Sequence, residues 1–261
     1  MRLAVIGHPI AHSLSPHLHE QWLSASGLFG RYEAVDVTTD ELESLFEAMR
    51  AGKWDGLNVT IPHKEAVIPF LDELEEPATI AGAVNTIYKR EGRLIGTNTD
   101  GAGLVHALNA WTDWSGSVLV IGAGGAARGI LGALPTRNVT IVNRTVERAR
   151  HLAEAFAVHA TTFEAVDVSR YDVIIQTTSV GMDGESSPLS LEGLRQNTLV
   201  CDIIYRPLVT PFLREASLKG ARTVTGVAMF VGQGALAFEK WTGVKPDETI
   251  GMKLIESLLE E

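Results

Sequence analysis

An amide, a hydroxyl and an amine fall within seven residues at Asn58-Val59-Thr60-Ile61-Pro62-His63-Lys64. The apolar run from Trp54 to Leu57 reads as a buried strand continuing to Thr60. Asn58 and Thr60, two apart, then point to one face and can hydrogen-bond a polyol. A lysine just past the strand end can hold or move a proton. The same residues would equally serve as turn partners, with Lys64 at the surface. Ser13 and Ser15 stand where a helix starts, and free N–H groups with the helix dipole there favour a carboxylate. Ser15 before Pro16 also fits an N-cap followed by an N1 proline. Asp100 caps the next helix or faces a ligand, Asn85 is a turn or edge amide, and Gln233 is a core polar group or a ligand contact.

Further along, Ser117 to Ile121 reads as a buried strand, followed by Gly122-Ala123-Gly124-Gly125-Ala126-Ala127 and a helix to Leu134. This is G-x-G-x-x-A in the strand-turn-helix setting that dinucleotide binding demands. Gly122 permits the tight turn, Gly124 lets backbone approach a pyrophosphate, and Ala127 allows close helix-strand packing. After the next strand, Val139 to Val142, an acid would mark NAD; the chain instead reads Asn143-Arg144-Thr145, with Arg148 one turn on. A guanidinium suits a 2′-phosphate, which favours NADP, unless Arg144 is only a surface charge. Thr177-Thr178-Ser179 is a small polar turn at a strand end, where doubly wound sheets hold ligands and where ordinary loops also occur.

The elements that carry these groups follow from the apolar spacing. Strands are expected at Leu3–Ile6, Tyr32–Val37, 54–60, Ala83–Tyr88, Arg93–Asn98, 117–121, Val139–Val142, Val173–Gln176, Leu199–Ile204 and 222–225. Helices are expected from Ser15 to about Ser26, over 39–49, from Glu65 towards Leu74, from Asp100 to about Trp111, over Val146–Phe156, from Thr210 to Gly220, from Val227 to Thr242 and from Pro246 to Leu259. The alternation argues for α/β architecture with parallel strands, and the texture at Thr112 to Ser117 suggests a boundary. Gly232 and Gly234 would each weaken their helix by about 1 kcal/mol relative to Ala, so close packing or ligand approach is expected there.

Twenty-two Lys and Arg against 32 Asp and Glu give a net charge of −10 over 261 residues, with no basic run. That disfavours nucleic acid and anionic membrane as partners and leaves any anionic ligand to local groups. The 45% hydrophobic content supports full cores. A lone Cys201 excludes an intrachain disulfide, and no apolar segment reaches 18 residues, so a cytoplasmic protein is expected. His8, His12, His17 and His19 cluster, but Pro9 interrupts the spacing and no metal motif accompanies them, so no metal is expected.

Taken together, Ser13-Leu14-Ser15-Pro16, Asn58-Val59-Thr60 with Pro62-His63-Lys64, Gly82-Ala83-Val84-Asn85-Thr86, Gly96 to Gly101, Gly122 to Ala127, Asn143-Arg144-Thr145 and Gln233-Gly234-Ala235 resemble the shikimate dehydrogenase family. The ordered set runs the length of the chain. The resemblance implies two α/β domains with a cleft between them. Residues 1–100 with 235–261 would form an N-terminal substrate domain, and 101–234 a Rossmann-type NADP-binding domain. It implies reversible NADP-dependent reduction of 3-dehydroshikimate to shikimate, on the route to aromatic amino acids, by a monomer or homodimer. Lys64 and Asp100 would be the catalytic pair, and Ser13 and Ser15 would hold the carboxylate with Tyr205 nearby. Asn58, Thr60, Asn85, Asp100 and Gln233 would hold the hydroxyls, and Thr178, Ser179, Gly226 and Met229 would line the nicotinamide side.

Glu20, Gln176 and Phe230 depart from the common family pattern of Asn, Asn and Leu, and none of them removes a proposed catalytic group. Two other readings are a quinate/shikimate dehydrogenase using NAD and a non-catalytic NADP sensor. Arg144 argues against the first, and retention of Lys64 with Asp100 against the second.

Overall fold

Alternating apolar strands and amphipathic helices build two six-stranded sheets in a computed structural model of the chain, which describes residues 1–260. The first sheet is founded on β1 (Arg2–Gly7), which pairs in parallel with β2 (Arg31–Asp36) and β3 (Gly56–Val59). Between them run α1 (Ser15–Ala25) and α2 (Leu42–Arg50), the latter burying Leu42, Leu45, Phe46 and Met49 on one face. Each such side chain contributes about 1.5–3 kcal/mol by leaving water. A short β4 (Glu73–Leu74) and α3 (Glu76–Ala81) lead to the hairpin of β5 (Thr86–Arg90) and β6 (Arg93–Thr97). β5 runs antiparallel to β3 and closes the order β2-β1-β3-β5-β6-β4.

Helix α4 (Asp100–Leu108) carries the chain into the second sheet. There β7 (Val118–Ile121), α5 (Gly125–Ala133), β8 (Val139–Val142), α6 (Val146–Phe156) and β9 (His159–Thr161) run outward in one direction. The chain then returns to the other side of β7 with β10 (Val173–Gln176), β11 (Leu199–Asp202), α7 (Pro211–Leu218) and β12 (Arg222–Val224). All pairings in this sheet are parallel, in the order β12-β11-β10-β7-β8-β9. The order reverses between β7 and β10, and a ligand crevice is expected outside the C-terminal ends of those two strands.

Helix α8 (Gly226–Thr242) crosses back, and α9 (Glu248–Glu260) packs with it and α1 around Leu18, Trp22, Phe238 and Ile255. Gly103 on α4 and Gly232 on α8 explain how closely those helices cross. A Cβ on Gly103 would lie 2.4 Å from Gln233 N, and one on Gly232 would lie 2.6 Å from Gly103 O. Close packing, one of the two reasons expected for the glycines of this helix, is therefore the operative one at Gly232.

Three local expectations are corrected. Glu65 to Leu74 forms no α-helix: turns and a 3₁₀ turn (Ile68–Phe70) lead into β4. Pro69 lacks the N–H and crowds the carbonyl four residues back, which ends α-helical winding there. Ser15 does not cap α1. It is the first helical residue, and its own N–H donates to Ser13 Oγ at 3.3 Å. Asp100 does not cap α4 either, because its N–H donates to Asn98 Oδ1 at 3.0 Å and its carboxylate is engaged elsewhere.

His19 has an unusual setting. Its ring is fully buried, stacks 4.3 Å from Tyr32, and finds no partner for either nitrogen among the described residues. Burial pushes its pKa down to about 3. The unfolded chain therefore takes up this proton first, near pH 6.5, and the fold loses stability as pH falls from there towards 3, by about 1.4 kcal/mol per unit at most. His19→Phe keeps a ring and removes the proton site. Urea midpoints at pH 7 and pH 4.5 should lie closer together in that variant than in the parent, and an unchanged gap would show that His19 does not set this limb.

Candidate active site

The loops at one end of both sheets enclose a cleft of about 520 Å³. From the first sheet and its loops come Ser13, Ser15, Asn58, Thr60, Lys64, Asn85 and Asp100; from α8 and the second sheet come Ala126, Tyr205, Gly226, Met229 and Gln233. All nine residues expected at the substrate thus share one cavity, although they span positions 13 to 233.

At its floor Lys64 Nζ lies 2.6 Å from Asp100 Oδ2, with the two side chains 30% and 11% exposed. Enough of the amine is open to meet a ligand, while the carboxylate is almost enclosed. Asp100 Oδ1 accepts from Asn85 Nδ2 at 2.7 Å. Both carboxylate oxygens are thereby used, so Asp100 is held rigidly and in turn fixes the amine. Gln233 lies across the cleft, its Oε1 3.4 Å from Asn85 Nδ2 and its Nε2 donating to Phe230 O at 2.7 Å. Asn58 is tied by Nδ2 to Asn85 O (3.0 Å) and Thr86 Oγ1 (3.1 Å), while Oδ1 accepts from Tyr32 at 2.6 Å. Asn85 is therefore no loose edge amide, and Lys64 no surface charge.

Tyr205 stands at the end of β11, where Asp202 organises the turn. Asp202 Oδ1 accepts from Ile204 N at 3.0 Å and Oδ2 from Thr210 Oγ1 at 2.8 Å. Burial pushes the Asp202 carboxyl up to about 6, and burial also raises the Tyr205 phenol. Phe230, one of the departures from the family pattern, sets its ring 5.0 Å from that of Tyr205 and supports it from α8. Gly226 permits the approach of this turn, since a Cβ there would lie 2.4 Å from Ile204 C.

The remaining expected residues gather at the C-terminal ends of β7, β8 and β10. Gly122 has φ +114, and a Cβ on it would lie 2.5 Å from Thr177 Oγ1, so only glycine brings the two strand ends together there. Gly124 and Gly125 face open space where side chains would stand. Gly124 is the N-cap of α5 and follows Ala123 in the turn, and Gly125, Ala126 and Ala127 present the first-turn N–H groups, a cradle that fits a dinucleotide pyrophosphate. Ala127 is fully buried against the sheet. Gly122 N donates to Val142 O at 2.8 Å, which places Asn143, Arg144 and Thr145 beside the glycine turn. Arg144 and Arg148 are exposed, and Asn143 Nδ2 closes the turn on Thr145 O at 2.9 Å. The Thr178-Ser179 turn is held by the fully buried Gln176: Oε1 accepts from Thr178 N at 2.6 Å, and Nε2 donates to Val180 O at 2.8 Å. Its extra methylene relative to Asn is used to reach across this loop.

Family models describe three stretches of the chain. Residues 5–87 match the shikimate dehydrogenase substrate binding domain, 107–182 shikimate / quinate 5-dehydrogenase, and 226–256 the shikimate 5'-dehydrogenase C-terminal domain. A shikimate dehydrogenase (NADP(+)) of an Exiguobacterium species (strain ATCC BAA-1283 / AT1b) is 76% identical over 100% of both chains. The chain belongs to the shikimate dehydrogenase family. A second enzyme of that name, from Exiguobacterium sibiricum, is 53% identical over 100% of both chains. The crystal structure of the family member from Thermus thermophilus, in complex with NADP(H) and shikimate, superimposes with a TM-score of 0.92 at 41% identity, covering 98% of this chain and 99% of that one.

Within this family member, sequence reasoning missed two polar residues behind the cleft wall, Tyr32 and Thr86. Both sit in apolar strand patterns, where they read as ordinary β-formers. The one available signal was Thr86 directly after Asn85. Among the described residues no helix is long and apolar enough to cross a membrane.

Proposed function

We propose that this chain is a shikimate dehydrogenase that reversibly reduces 3-dehydroshikimate to shikimate with NADPH. The observation that carries this reading is the Lys64–Asp100 pair, 2.6 Å apart at the floor of a cleft that both sheets help to line. When bound, the cofactor would supply the hydride chemistry: NADPH would give a hydride to the carbonyl carbon of 3-dehydroshikimate, and NADP+ would take one from the carbinol carbon of shikimate. Reduction builds negative charge on the substrate oxygen, and the Lys64 ammonium delivers the proton that quenches it; in oxidation the neutral amine takes that proton back. Asp100 orients Lys64, its Oδ2 lying 2.6 Å from Nζ. Ser13 and Ser15, with Tyr205 lining the same cleft, hold the carboxylate by hydroxyls, while Asn58, Thr60, Asn85, Asp100 and Gln233 hold the ring hydroxyls.

Thr178, Ser179, Gly226 and Met229 flank the nicotinamide, the Gly122–Ala127 cradle holds the pyrophosphate, and Arg144 with Arg148 and the Asn143-Thr145 turn takes the 2′-phosphate. Residues 1–100 with 235–261 act as the substrate domain and 101–234 as the cofactor domain. The protein works as a monomer or homodimer without nucleic acid, and in the cytoplasm, where its single, buried Cys201 needs no oxidising environment. The test is near-UV absorbance of reduced nicotinamide with shikimate or quinate, each with NADP or NAD. Signal is expected first with shikimate and NADP. Preference for quinate or NAD would overturn the substrate or cofactor assignment, and NADP binding without turnover would point to a sensor.

A further inference from the structure

The wall that separates the cleft from the core of the first sheet carries a row of hydrogen bonds with one polarity. Tyr32 OH donates to Asn58 Oδ1 at 2.6 Å, and Asn58 Nδ2 donates to Thr86 Oγ1 at 3.1 Å. Thr86 Oγ1 donates to Asn85 Oδ1 at 2.9 Å, and Asn85 Nδ2 donates to Asp100 Oδ1 at 2.7 Å. The direction is imposed from the end that cannot donate. The Asp100 carboxylate accepts only, so Asn85 must turn its nitrogen towards it and its oxygen towards Thr86. The Thr86 proton is then committed to Asn85, its lone pair faces Asn58 Nδ2, and the Asn58 oxygen is left for the phenol.

The fold explains the spacing. Asn58 and Thr86 are direct partners in the antiparallel β3–β5 pair, so their side chains share a face. Tyr32 reaches them from β2 with its ring stacked on His19 at 4.3 Å. Tyr32 is 1% exposed and Thr86 fully buried, and neither lines the cleft. Ser15, on the other wall, is also a polar neighbour of the phenol.

We propose that Tyr32 and Thr86 are positioning residues that set the orientation of Asn58 and Asn85 towards substrate and, through Asn85, hold Asp100 for Lys64. This rests on the function proposed above. With the row intact, each amide has a single orientation, and the hydroxyl-facing lone pair of Asn58 and the Asp100 contact are prepared before substrate arrives. Losing Thr86 Oγ1 strands an Asn58 N–H, which leaves that amide only its bond to Asn85 O at 3.0 Å, and removes one donor to Asn85 Oδ1, whose remaining donor from the backbone is Thr99 N at 2.9 Å.

The test is a double-mutant cycle on the full chain with Tyr32→Phe and Thr86→Val, in which the two altered residues meet only through Asn58. Thr86→Val is expected to lower kcat/KM for shikimate by about 10-fold, with KM for NADP unchanged and Thr86→Ser recovering most of the loss. Because either change breaks the same row, the double variant should lose little more than the worse single one. Losses that multiply, or a Thr86→Val enzyme with the parent kcat/KM, would overturn the proposal. Should Thr86→Val fail to fold by its thermal midpoint, Tyr32→Phe alone must still lower kcat/KM, and a parental value there overturns it as well. Wild-type turnover measured alongside reports separately on the underlying function.

Discussion

Lys64→Ala is expected to reduce kcat by about 10²–10⁴-fold, the range for loss of a positioned proton donor, while the dissociation constant for shikimate changes only a few-fold. The asymmetry follows from the geometry. Lys64 is one of nine expected substrate residues that line the cleft, so its removal leaves the other eight in place. It is also the amine that Asp100 Oδ2 holds at 2.6 Å, and the other carboxylate oxygen is already committed to Asn85. Among the described residues no second lysine lines the cleft to supply the proton. Lys64→Met separates charge from packing, since it keeps an apolar stem of similar length. Stopped-flow turnover and calorimetric binding, measured in parallel, check the split. A variant with parental kcat would remove Lys64 from the chemistry, and one that fails only to bind shikimate would make it a binding group.

Arg144→Ala is expected to weaken NADP by about 10- to 100-fold, the worth of a charge-assisted hydrogen-bond pair, and to leave NAD within about 2-fold. Arg144 sits at the C-terminal end of β8, beside the Gly122 turn that is tied to Val142 O at 2.8 Å, and its side chain is exposed. The chain has a net charge of −10, so the field of the whole protein opposes a dianionic phosphate and the local guanidinium must overcome it. Adding Arg148→Ala, one helical turn on, should deepen the loss for NADP alone. Fluorescence titrations with both cofactors decide it. Equal weakening of NADP and NAD would mean that Arg144 acts on a part common to both, and no weakening would return it to the surface.

Much of the architecture was legible because it rests on short-range regularities. Val173–Gln176 and Val146–Phe156 have the bounds that apolar runs and helical spacing indicated, and the glycine turn after β7 occupies its expected strand-helix setting. Expectation failed where two local signals competed. Glu65 to Leu71 has helical apolar spacing, but Pro69 sits inside it, and the backbone constraint outweighed the pattern. Ser15 and Asp100 both carry the chemistry of a cap, yet their own N–H groups are satisfied two residues earlier, by Ser13 Oγ and Asn98 Oδ1, and the Asp100 carboxylate is engaged by Lys64 and Asn85 instead. Tyr32 left no distinguishing mark in sequence, and Thr86 only its place directly after Asn85, because a buried hydroxyl in a strand looks the same whether or not it has a partner.

By itself the sequence determined the kinds of chemical group available, their order, the α/β class with parallel strands and a guanidinium, Arg144, where NAD-binding folds place an acid. These depend on residue type and on spacings of two to about twenty, which helix and strand periodicity translate directly into faces and ends. Tertiary structure alone decided which groups touch. It brought Asn85 to Thr99 across 14 residues, Lys64 to Asp100 across 36 and Asn85 to Gln233 across 148. A hydrogen bond is lost within a few tenths of an ångström and a few tens of degrees. Separations of that kind are specified only by how β3, β5, α4 and α8 pack, and no local pattern encodes it.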